Sequence, residues 1–147
     1  MSQYLSFELV NRANPLIKIE LGYWSTSIAR GIHNFGKDIF RYTESDISLD
    51  STNLKDDIEV LHQGVEEYKE HLRKAQESKR KNTELLLKAQ TKCAVEVIKE
   101  SIRYNEEAIE DWTQEVEIWE SVENKLNYIL DILKKNEDEW MLIYRNA

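Results

Sequence analysis

After Gly64 the chain contains no glycine and no proline, so nothing beyond that point is built to interrupt a helix. Into this stretch runs a strict apolar rhythm. Leu54, Ile58, Leu61, Val65, Tyr68, Leu72 and Ala75 recur at alternating intervals of four and three. A 3.5-residue period draws one apolar seam along one side of a helix, and water drives that seam onto a second helix. A second run, Ile98, Ile102, Ile109, Trp112, Val116, Trp119, Val122, Leu126, Ile129 and Leu133, repeats the pattern with a gap at Asn105. More than half of the chain is therefore expected to be long helix packed on helix.

The two helices must turn somewhere. The most polar interval is Gln76–Glu84, where Asn82 or Thr83 would cap a new helix, so a tip at 79–83 is preferred. The second helix would then run from about 83 to 135, bent near Asn105. The rivals are a tip at 90–93 and one continuous helix that dimerises. Thr52 or Asn53 would cap the first helix, with Asp56 and Asp57 in its first turn. Lys134 and Lys135 suit the negative end of the second helix, and Asn136 a left-handed cap.

The first third has a different texture. Leu5, Phe7 and Leu9 alternate with polar neighbours, and Ile17, Ile19, Leu21 and Tyr23 do so again after Asn11-Arg-Ala-Asn-Pro15. Period two around a turn predicts a β-hairpin, which needs further cover to be stable. Ile28, Ile32, Phe35 and Ile39 then predict a short amphipathic helix ending near Tyr42, followed by a polar connector over 43–53. Glu139-Trp-Met-Leu-Ile-Tyr-Arg145 is β-prone and is expected to return as a third strand. Between Thr43 and Arg103 the only aromatic is Tyr68, so the aromatics before and after that stretch should share one core. The expected fold is α+β, mostly α with a small β element. A long antiparallel coiled-coil-like helical hairpin stands on a base of N-terminal β-hairpin, short helix and C-terminal strand. It is read as one domain, with the base at 1–50, the helical arm at 51–136 and the returning strand at 137–147.

Charge narrows the partners. The net charge of −8 argues against direct nucleic-acid or anionic-membrane binding. The excess is local: residues 105–127 hold eight acidic side chains against Lys125 alone, whereas residues 73–92 net +5. Solvated helix faces that neutralise each other across the hairpin would produce this pattern. So would an acidic face, carried by Glu106, Glu110, Glu117 and Glu120, that docks a protein partner such as a basic nucleic-acid-binding protein. Residues 1–8 lack the basic and apolar regions of a secretory leader, and no apolar run approaches a membrane span. A cytoplasmic location is the expectation.

Chemistry-bearing motifs are few. Glu59-Val-Leu-His62 has one Glu-x-x-His spacing of a di-iron bundle, but that site needs a second copy and two more glutamates. No metal site is assigned, and His62 is expected to be solvated beside the seam. Cys93 is the lone cysteine and falls on the extrapolated seam, which predicts a buried structural thiol. No phosphate loop, nucleophile elbow or catalytic residue is identified, and neither an enzyme nor a cofactor is expected. Tyr23-Trp24-Ser25-Thr26-Ser27 leads into a helix bearing Arg30 and His33. Trp24, Ser25, Thr26, Ser27, Arg30 and His33 form a candidate anion site at that helix start.

Three functions follow. The preferred one is a non-enzymatic adaptor or inhibitor, in its most specific form a phage-type inhibitor whose acidic face occupies a host protein's nucleic-acid groove. The alternatives are a binder of a small nucleotide-like anion at Tyr23–His33 and a structural homo-oligomeric coiled-coil subunit.

Overall fold

The computed structural model describes residues 5–24 and 47–146. They form strands β1 (Leu5–Asn11), β2 (Lys18–Trp24) and β3 (Ile47–Leu49), helices α1 (Ser51–Lys88) and α2 (Lys92–Asn136), and strand β4 (Trp140–Asn146). The short helix expected over Ile28–Tyr42 lies outside the described residues. The fold is α+β, with two long helices packed together and a small antiparallel sheet. The chain divides into two compact units, Met1–Gly64 with Ser121–Ala147, and Val65–Glu120.

In the first unit, asparagine chemistry makes the hairpin turn. Asn11 Oδ1 accepts the backbone N–H groups of Ala13 and Asn14, each at 3.0 Å, and Asn14 Oδ1 accepts that of Leu16 at 3.2 Å. The returning strand β4 pairs with β1 from Leu5↔Asn146 to Asn11↔Trp140, giving the order β2-β1-β4-β3. Cross-strand partners share a face, so Phe7 and Tyr144 meet with their rings 5.5 Å apart, and Leu9 lies opposite Leu142. All four are buried, as are Leu54, Leu61, Leu126, Ile129 and Leu133 of the helices. Burying each such side chain contributes about 1.5–3 kcal/mol.

Two details of the sheet differ from the period-two expectation. The β1–β2 register passes from Phe7↔Gly22 to Glu8↔Glu20, which skips Leu21. This bulge flips the side-chain parity of β2, so Gly22 and Ile19 share the face of Phe7 and Leu9, and the expected Ile19–Leu21 face does not form. Ile17 and Ile19 keep 48% and 45% exposure at this sheet edge. Within the expected connector, Ile47–Leu49 adds to β4 as β3. Three residues are too few to show a period, and pairing with β4 supplies what propensity does not.

Helix α1 begins earlier than expected. Asp50, not Thr52 or Asn53, is its cap: its Oδ1 accepts the Asn53 N–H at 2.7 Å and its carbonyl that of Leu54 at 3.0 Å. Glu137 closes the same end, accepting from the Ser51 N–H at 2.9 Å and the Ser51 hydroxyl at 3.0 Å. Asp56 and Asp57 consequently lie beyond the first turn. At the end of α2, Asn136 does not take the left-handed cap, since no described non-glycine residue has positive φ. Its Nδ2 instead donates to the Ile132 carbonyl at 2.8 Å.

In the second unit, the preferred tip at 79–83 is overturned and the turn lies at Ala89–Thr91. The polar interval stays helical because its side chains are satisfied along the helix. Thr83 Oγ1 donates to the Lys79 carbonyl at 2.8 Å, and Arg80 bridges Glu77 and Glu84, both at 2.6 Å. Thr91, rather than Asn82 or Thr83, caps α2 by accepting the Ala94 N–H at 3.1 Å. Cys93 is exposed, contrary to the seam extrapolation, because it lies in the first turn of α2, at the end of the hairpin.

The gap at Asn105 meets the polar interval of α1. Asn82 Nδ2 donates to Asn105 Oδ1 at 2.8 Å, and Asn105 Nδ2 donates to Ser78 Oγ at 3.1 Å. Two breaks that look like defects in separate seams are thus one polar layer, a device that fixes register at some cost in stability. Asn105→Ala should strand both Asn82 and Ser78 and destabilise by about 1 kcal/mol in urea unfolding.

Candidate binding surface

Within Val65–Glu120, the acidic residues of α2 divide by what they face. Glu106 pairs with Lys79 at 3.5 Å, and Glu120 pairs with Lys69 at 2.7 Å. Lys69 also holds Glu66 at 3.2 Å, and the carboxylates, Glu120 foremost, push its ammonium above the usual lysine range. These two glutamates therefore belong to the neutralising flank between the helices. Glu110 and Glu117 are exposed and form no ion pair among the described residues, and the same holds for Asp111. The structure thus splits the sequence-predicted set of four into two inward pairs and two outward carboxylates.

The two arginines of the basic stretch are engaged along their own helix. Arg73 binds Glu70 with both Nε and Nη2, at 2.8 and 2.6 Å, and Arg80 binds Glu77 and Glu84. The Arg73 guanidinium in turn holds the Glu70 carboxyl below the usual range.

The two tryptophans on this part of α2 do different things. Trp119 is buried, and its Nε1 donates to Glu115 Oε2 at 2.9 Å. Trp112 is only half-buried. The His71 ring stacks on it at 4.7 Å and 20°, and Tyr68 meets it edge-on at 5.1 Å and 60°. Tyr68, Ala108, Asp111, Trp112 and Glu115 line an open groove of about 430 Å³. Burial raises the Tyr68 hydroxyl pKa, with Glu115 and Glu67 adding to the shift. Tyr68 and Trp112 belong to two separate seams of the sequence, and only the antiparallel register brings them together.

In the first unit, His62 Nδ1 lies 2.5 Å from Glu123 Oε1, so this histidine is exposed but not idle. No group of three or more metal-ligating side chains occurs among the described residues. Asp57, expected only as a helix-end charge, is half-buried, and its carboxyl is pushed up to about 7 by desolvation, with Asp56 adding repulsion. Its charge helps to raise the buried Tyr144 hydroxyl above the usual phenol range, after desolvation. Its sequence signal was weak, an aspartate one position before the seam residue Ile58.

Of the candidate anion site, Ser25, Thr26, Ser27, Arg30 and His33 lie outside the described residues, and Trp24 ends β2 opposite Leu5. No helix among the described residues is long and apolar enough to cross a membrane. No protein-family model, curated protein or solved structure matches this chain.

Proposed function

We propose that this protein is a non-enzymatic binding module that engages a basic protein partner through the outward acidic face of α2. The observation that carries this reading is the pair Glu110 and Glu117, exposed on one face of the helix and in no ion pair among the described residues. Glu107 lies three residues before Glu110 and four before Asp111. Such like-charge pairs cost a helix about 0.2–0.5 kcal/mol each. A face held at that cost is relieved by a partner rich in Lys and Arg, and surfaces that bind nucleic-acid phosphates have that chemistry. An inhibitor that occupies such a surface is the narrowest form of this reading.

The test uses the partner purified by affinity from the native host and titrated against Glu110→Gln/Glu117→Gln. Binding is expected to weaken at least tenfold, or about 1.4 kcal/mol. Loss should fall mainly on the association rate and on its salt dependence. The variant itself should be as stable as the parent or slightly more so. Unchanged affinity and salt dependence would remove the acidic face from the interface.

A further inference from the structure

We propose that the open groove lined by Tyr68 and Trp112 receives one Lys or Arg side chain of that partner, an inference that rests on the reading above. The groove is walled by two aromatic rings and two carboxylates, Asp111 and Glu115, and its lining contains no basic residue. An aromatic face attracts a cation through its quadrupole, indole most strongly of the aromatic side chains. Carboxylates beside the ring add charge of the right sign, whereas an anion would be repelled and a neutral group would gain nothing from them.

The parts are held in place before a ligand arrives. His71 covers one face of the indole by stacking, and the tilted contact with Tyr68 holds the ring on another side. Glu115 is tethered by the Trp119 Nε1–H at 2.9 Å. Lys69, next to Tyr68 in the sequence, is itself occupied by Glu120 and Glu66. A long aliphatic stem ending in a charge suits this arrangement, because its methylenes pack on the rings while its head reaches the carboxylates.

The probes are blocked ten-residue peptides that alternate glycine with lysine, with arginine or with acetyl-lysine. Binding is followed by calorimetry and by the Trp112 indole N–H resonance. The lysine and arginine peptides should bind and move that resonance, and acetyl-lysine should bind at least fivefold more weakly. Trp112→Leu and Asp111→Asn should each weaken the lysine peptide at least threefold. Asp111 is exposed, so its variant decides the matter even if Trp112→Leu does not fold. If Glu110→Gln/Glu117→Gln weakens the peptide while the Trp112 resonance and Asp111→Asn binding stay unchanged, the groove is overturned and the acidic face stands. If neither variant alters binding, both readings fail.

Discussion

Leu142→Ala is expected to lower the stability of the first unit by about 3 kcal/mol, within the usual range for a buried leucine truncation. Leu142 is fully buried, and its strand is interior, flanked by β1 and β3. Its cross-strand partners are Leu9 on one side and Leu49 on the other. Truncation opens a cavity that neither strand can collapse into without breaking register. Thermal unfolding should show a midpoint about 6–12 °C lower. Ile19→Ala, on the edge strand with 45% exposure, is the contrasting control and should cost well under 1 kcal/mol. Equal losses at the two positions would mean that β4 does not hold the centre of the sheet.

Asp57→Asn should have the opposite sign, stabilising the protein at neutral pH. The folded chain holds the Asp57 proton up to about pH 7, whereas an unfolded aspartate releases it near its ordinary value of 3.8. Between those limits the folded state binds more protons, so stability falls as pH rises and the loss is complete above about 7. Because Asp57 is only half-buried, solvent screening reduces the effect, and a gain of about 1–2 kcal/mol at pH 8 is expected. Near pH 4 parent and variant should differ little. Calorimetric midpoints between pH 4 and 8 give the check: the parent declines with pH across this window and the variant is flatter. Parallel curves would show that Asp57 is as well solvated in the folded chain as in the unfolded one.

The helical pair, the hairpin turn and the returning strand were legible because each rests on a local signal: a 3.5-residue seam, an Asn-rich turn, an aromatic β-prone run. What failed was the rule that polar interruptions end helices. The interval at Gln76–Glu84 looks like a tip, and it is instead the partner of the gap at Asn105 in one hydrogen-bonded layer. A single sequence cannot show that two distant irregularities satisfy each other. The β2 bulge at Leu21 was equally silent, since one skipped residue leaves composition unchanged. Asp50 lost to Thr52 and Asn53 for want of a visible β3 that ends immediately before it.

The surface was half legible. Glu-rich composition located the acidic face on α2, but not which carboxylates turn inward. Lys69 and Lys79 decide that, and they lie far away in sequence on α1. The meeting of Tyr68 and Trp112 likewise depends on a register that the misplaced tip obscured.

The most direct measurement of the central claim is a charge-exchange cycle with the purified partner. Glu117→Lys should weaken the complex at least tenfold. The partner's interfacial Lys→Glu should do the same, and the two reversals together should restore most of the affinity. Additive losses, with no recovery in the double reversal at any interfacial lysine or arginine, would contradict an acidic docking face on α2.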